Sequence, residues 1–231
     1  MFNIVAPTLG VRGSTERYPV RRVYCVGRNY ADHAREMGAD PNREPPFYFA
    51  KPADAVFTVA EGYLGGPAGV VPYPPQTADL HHEIELVVAL GSGGSDIAAA
   101  DALDHVWGYA VGVDLTRRDL QDTAKSMRRP WDLSKGFDAS GPVSELVPAA
   151  GIRPDSGRIW ISVDGQQKQE GDLADQIWTV ADVIAHLSAS VELRAGDLIM
   201  TGTPSGVGRI DRGQRVAGGI DGIAELSFTV D

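Results

Sequence analysis

Apolar and polar positions change rhythm several times along the chain, and each rhythm predicts an element. HHEIELVVAL (81–90) and WGYAVGVDL (107–115) are nearly unbroken apolar runs and read as buried strands. The closing AELSFTVD alternates, with Ala224, Leu226, Phe228 and Val230 on one face and Glu225, Ser227 and Thr229 on the other. RIWISV and QQKQ flank Asp164-Gly165 and predict a hairpin. Val180, Val183, Ile184 and Leu187 recur at helical spacing after Thr179, which can open the helix. TRRDLQDTAKSM is polar and reads as a helix with Thr116 able to cap it; Asp96 can cap another through AAADALDHV. A strand at 23–26 stops at Gly27, and Asn29 can cap a helix over 30–37. Asp197–Met200 reads as a strand leading into TGTPSGVG. Residues 38–52, with four prolines, read as a loop enclosing FYFAK, and GGPAGVVPYPPQT as a second loop. Residues 1–20 look like an extended lead-in to a domain over 21–231. Helices are few and do not alternate with strands, so the expected class is α+β, not doubly wound α/β.

Composition narrows the function. The 231 residues carry a formal net charge of −10, which argues against nucleic-acid and anionic-membrane partners. Cys25 is the only cysteine, so neither an intrachain disulfide nor a cysteine zinc cluster can form. No basic leader with an apolar stretch is recognisable, and no apolar run nears the roughly 20 residues of a membrane span. The expected location is the cytoplasm.

Three features carry chemistry. On a strand Glu83 and Glu85 point to the same face. Either that face is solvated, or a cation lies between the two carboxylates. Asp114, alone at the end of the second apolar run, favours the cation: three carboxylates without a thiolate suit Mg²⁺ or Mn²⁺. His33 and Glu36 are three apart on a predicted helix, as an ordinary surface pair or as a proton-transfer pair. The glycines of TGTPSGVG permit either a tight turn or backbone N–H groups that hold an anion, with the Thr203 hydroxyl beside them. A trio of carboxylates around a divalent ion keeps one net negative charge, so basic side chains such as Arg28, Lys51, Arg117 and Lys135 would have to draw in an anionic substrate.

In order along the chain, VGRNYADHAREM, Lys51-Pro52, HHEIELVVAL, GYAVGVDLTRRDLQ, PWDLSKGFD and GDLIMTGTPSGVG resemble the signature blocks of the fumarylacetoacetate hydrolase family. The resemblance implies a mixed β-roll with a few flanking helices, assembled as a homodimer. It implies Glu83, Glu85 and Asp114 as metal ligands, His33, Glu36 and Lys135 as catalytic residues, and Lys51, Gln121 and Thr203 as substrate contacts, to which the charge argument adds Arg28. REPPFYFAKPADAV and TADLHHEIELVVAL look closest to the bacterial branch that hydrolyses fumarylpyruvate in gentisate breakdown. The implied reaction is metal-dependent hydrolysis of the C–C bond of a dicarboxylic 2,4-dioxo acid. An acylpyruvase or an oxaloacetate decarboxylase would use the same scaffold. A metal-binding protein without turnover would have no need of His33, Glu36 and Lys135.

Overall fold

A computed structural model describes residues 5–32 and 44–231, so His33, Glu36 and most of the helix expected over 30–37 lie outside the described residues. The Asp164-Gly165 hairpin is present: both residues have positive φ (50° and 75°), as a primed two-residue turn requires. It joins Arg158–Val163 to Gln166–Asp172 at the edge of a five-stranded sheet. That sheet continues through Arg215–Ile220 and Ala224–Val230, and Val70–Val71 closes it. The last of these is a short strand within the GGPAGVVPYPPQT segment, which the sequence reads as loop throughout. Ala224–Val230 buries its alternate residues as expected.

The larger sheet is mixed. Its main path runs Phe47–Lys51, Arg22–Gly27, Asp197–Met200, Ile84–Leu90, Val106–Val113, Gly141–Val143 and Val56–Thr58, with Val147–Pro148 paired to Val106–Val113. Two of its pairings are parallel, Asp197–Met200 on Arg22–Gly27 and Gly141–Val143 on Val56–Thr58. FYFAK is therefore an edge strand, because its backbone finds partners along Arg22–Gly27.

Every residue of Ile84–Leu90 is buried because both faces of the sheet are covered. Ile84, Leu86, Val88 and Leu90 join the main core with Ile159, Ile161, Val216, Leu226 and Phe228 of the five-stranded sheet. The Val180–Ser188 helix closes that core with Val180, Val183, Ile184 and Leu187 and carries the expected Thr179 cap. Val87 and Ala89 face a second cluster with Leu9, Val11, Tyr18 and Val20. The first 20 residues thus include a paired element, Thr8–Gly10 on Arg17–Pro19, with the Tyr18 hydroxyl donating to Leu90 O (2.7 Å).

Two expected helices differ. Asp96 has φ 53°, outside the extended region of an N-cap, and only a 3-10 turn at Ala102–His105 forms. The TRRDLQDTAKSM helix spans Arg118–Ser126, but Thr116 sits in the short strand Thr116–Arg117 and does not cap it. Mixed sheets with few helices match the α+β expectation and the β-roll that the resemblance implies.

Candidate metal centre and active site

HHEIELVVAL is not one continuous strand. Leu80–His82 pairs with Thr116–Arg117 and Gly208–Arg209 in a separate small sheet, and Ile84–Leu90 belongs to the large one. Glu83 sits at the break. Its carbonyl accepts from the Asp114 N–H (2.8 Å), which holds the two residues side by side where Ile84 pairs with Val113. Alternation puts Glu85 on the same face as Val87 and Ala89. Carboxylate oxygens of Glu83, Glu85 and Asp114 therefore lie within 4.8 Å of one another, all buried.

The cations around this trio are unevenly shared. Lys135 Nζ donates to Glu83 Oε2 (2.8 Å) and Asp114 Oδ2 (2.7 Å). Arg118 donates to Glu83 Oε1 (2.5 Å), and Lys51 Nζ lies 2.7 Å from Asp114 Oδ1, though not in hydrogen-bonding alignment with it. Glu85 is 2% exposed and accepts from the Gly202 N–H (2.8 Å), but no ion pair reaches it among the described residues. Burial, then the charges of Asp114 and Glu83, pushes its carboxyl well above the ordinary range. A divalent ion held by the trio would remove that penalty, and three hard oxygen donors suit Mg²⁺ or Mn²⁺. The residues present fit the metal. For Lys135 burial opposes the charge, but Asp114 and Glu83 outweigh it and raise its pKa, so it stays protonated.

The segments that deliver these groups have local reasons for their shapes. Gly202 has φ 96°, and a Cβ there would meet the Cβ of Asn29 at 2.7 Å; only glycine brings this amide to Glu85. Asn29 is buried and ties strand ends together, donating to Thr201 O (2.8 Å) and Trp178 O (2.9 Å) and accepting from Trp178 N (2.8 Å). Lys135 ends the short Asp132–Lys135 helix, and its carbonyl accepts from Lys51 Nζ.

A pocket of about 410 Å³, its open mouth included, lies over the trio. Glu83, Glu85, Arg28, Gln121, Lys135 and Thr203 line it, together with Arg118, Lys125 and the rings of Phe47, Phe49 and Trp131. Gln121 Oε1 accepts from Arg118 (2.5 Å), which leaves its Nε2–H groups for the pocket. Lys51 is the exception among the expected substrate contacts. Its side chain is fully buried on Asp114 and on backbone carbonyls and is absent from the pocket wall.

Gln169 has no signal in the sequence, since QQKQ reads as an ordinary hairpin arm. It is buried in the structure. Its Oε1 accepts from the Ile84 N–H (3.1 Å), so its Nε2 donates, to Thr203 Oγ1 (2.8 Å) and Pro204 O (2.7 Å). Thr203 therefore keeps its own O–H for an oxygen in the pocket. His82 Nδ1 lies 2.9 Å from the same Oε1 and must carry the hydrogen; burial pushes this imidazole down to about 4, so it stays neutral. Arg118 was visible in the sequence only as part of a basic pair. Its partnership with Glu83 follows from a fold that places the Arg118–Ser126 helix beside the strand break.

The model of the fumarylacetoacetate (FAA) hydrolase C-terminal family matches residues 22–231. A crystal structure of fumarylpyruvate hydrolase from Pseudomonas aeruginosa, in complex with Mn²⁺ and pyruvate, is 50% identical. It superposes with a TM-score of 0.92 over 100% of this chain and 97% of that one. Oxaloacetate decarboxylase, mitochondrial, from Dictyostelium discoideum is 41% identical over 212 residues, 91% of this chain and 94% of its own length. Oxaloacetate tautomerase FAHD1, mitochondrial, from Arabidopsis thaliana is 39% identical over 211 residues, 91% of each chain. A family match over nearly the whole chain, joined to a buried carboxylate trio at a strand break, leads to one conclusion: the chain belongs to the fumarylacetoacetate hydrolase family.

Proposed function

We propose that this chain is a divalent-metal-dependent hydrolase that cleaves fumarylpyruvate to fumarate and pyruvate. The observation that carries the reading is Glu85, a buried carboxylate that no ion pair reaches among the described residues, beside a pocket lined by basic side chains. Three carboxylates and the three cations Lys51, Lys135 and Arg118 balance, so a bound divalent ion leaves the site positive. A dianionic substrate matches that excess.

Glu83, Glu85 and Asp114 would hold Mg²⁺ or Mn²⁺, which supplies Lewis-acid chemistry toward the 1-carboxylate and 2-oxo oxygens of a dioxo acid. His33, oriented by Glu36, takes a proton from water as the oxygen adds to C4. The C4 oxyanion is met by Gln121 Nε2–H and by Lys135, which spends two of its three N–H bonds on Glu83 and Asp114. Collapse breaks C3–C4, releases fumarate and leaves the electron pair at C3, where protonation gives pyruvate. Thr203 donates to a substrate carboxylate oxygen. Arg28 contributes positive charge at the pocket, its guanidinium 5.5 Å over Phe47. Lys51 acts through Asp114 and not on the substrate.

A homodimer and a role in gentisate breakdown complete the reading and rest on the resemblance, and a cytoplasmic location is proposed with them. No helix among the described residues is long and apolar enough to cross a membrane. The second reading, an oxaloacetate decarboxylase or tautomerase, is favoured by the names of two relatives at 41% and 39% identity. That chemistry needs the same chelate but no attacking water. Values of kcat/KM for fumarylpyruvate, acetylpyruvate and oxaloacetate separate the readings. Fumarylpyruvate is expected to exceed acetylpyruvate by about 10- to 100-fold, the worth of one charge-assisted contact to its distal carboxylate. Equal values, or faster consumption of oxaloacetate than of either dioxo acid, would overturn the substrate assignment.

A further inference from the structure

The cations near the pocket differ in how they are used. Arg118, Lys135 and Lys51 are committed to Glu83 and Asp114. Arg117 stacks 4.4 Å from the centre of the Phe137 ring and donates to Leu133 O (3.3 Å). Arg128 and Arg129 are not on the wall of this pocket. Arg28 is next to Asn29, whose Cβ lies against Gly202, the residue that holds Glu85, so its backbone is anchored at the carboxylate end. Lys125 remains.

Arg118, Gln121 and Lys125 share one face of the Arg118–Ser126 helix, at i, i+3 and i+7, and all three line the pocket. Arg118 touches Glu83 at the near end. A rise of 1.5 Å per residue puts Lys125 about 10 Å further along the axis. Its ammonium lies 5.6 Å over the Trp131 ring, and its ion-pair partner, Asp122, is 3.6 Å away with 64% of its side chain exposed, a weak pairing. Burial and the charge of Arg118 lower the Lys125 pKa, a cost that an added carboxylate would relieve.

The helix face acts as a ruler. With the 2-oxo acid end at Glu83, Glu85 and Asp114, the six C–C bonds of fumarylpyruvate, about 1.5 Å each, carry its distal carboxylate about 7–8 Å away. The three C–C bonds of oxaloacetate reach only about 4 Å. We propose that Lys125 binds the distal carboxylate of a long dicarboxylic substrate and so selects fumarylpyruvate over shorter or monocarboxylic 2-oxo acids. This deepens the proposed function and rests on the 2-oxo end lying at the carboxylate trio.

The test is binding, so it does not depend on hydrolysis. The probes are 2-oxoheptanedioate and 2-oxoheptanoate, which have equal length, lack the 4-oxo group and differ in the distal carboxylate. Their Kd values are measured on the Mn²⁺-loaded protein by calorimetry for wild type, Lys125→Met and Lys125→Arg, with pyruvate as reference. Wild type is expected to favour the dicarboxylate by at least about 10-fold. Lys125→Met should erase that preference while leaving pyruvate binding unchanged, and Lys125→Arg should retain most of it. An unchanged preference in Lys125→Met, equal losses for both probes, or no preference in wild type would overturn the inference. If wild type shows the Lys125-dependent preference but does not hydrolyse fumarylpyruvate, the reaction assignment fails and the subsite stands.

Discussion

Glu85→Gln is expected to abolish tight metal binding and, with it, nearly all turnover. Glutamine keeps the shape and can still accept from the Gly202 N–H, but it removes the one carboxylate of the trio that no ion pair reaches among the described residues. Losing a supporting partner of a metal ligand typically costs 10- to 100-fold in affinity, and losing a ligand should cost at least about that much. EDTA should silence the wild type, and Mg²⁺ or Mn²⁺ should restore it. The metal-free protein adds a check of opposite sign. The Glu85 carboxyl is raised in the fold, so the folded state binds more protons than the unfolded one. Metal-free wild type should therefore lose stability as pH rises from the ordinary carboxylate range through that raised value. Glu85→Gln should flatten the slope, and so should saturating Mn²⁺. Denaturant midpoints across that pH range measure it. Full activity of Glu85→Gln after exhaustive chelation would contradict the metal site.

The second large effect is expected at His33. His33→Ala should lower kcat by about 10²- to 10⁴-fold, the usual contribution of a positioned general base. Mn²⁺ affinity and the binding of oxalate, a non-reacting chelator, should stay near wild type. The split follows from the proposed roles: the carboxylate trio binds the metal, whereas His33 and Glu36, three apart in the sequence, move the proton. A His33→Ala protein that has lost Mn²⁺ binding but turns over normally once reloaded would make His33 a ligand and remove the dyad from the mechanism.

The carboxylates were legible because a charge inside an apolar run needs a reason. Glu83, Glu85 and Asp114 interrupt runs that otherwise supply the core, and the fold brings all three together. Their exact arrangement was not legible. HHEIELVVAL contains no proline or glycine to mark the break at Glu83, which arises because Leu80–His82 finds partners in a different sheet. Gln169 was hidden for the same reason. All five residues of QQKQE are polar, and only the fold buries one of them against Ile84, His82 and Thr203. Lys51 was recognisable as belonging to the site, but which side of Asp114 it occupies is a tertiary fact. The helix expected after Asp96 failed on a backbone angle that no periodicity reports. Thr179 succeeded because a capping box is wholly local, with Asp182 three residues on.

The most direct test of the central claim is hydrolysis of fumarylpyruvate by the Mn²⁺-loaded protein in ¹⁸O-labelled water, with both products identified by mass. Water attack at C4 predicts equal amounts of fumarate and pyruvate, with one ¹⁸O in a fumarate carboxylate and no catalytic label in freshly quenched pyruvate. Formation of both products should cease with EDTA. Unlabelled fumarate, release of carbon dioxide in place of fumarate, or undiminished cleavage in EDTA would contradict it.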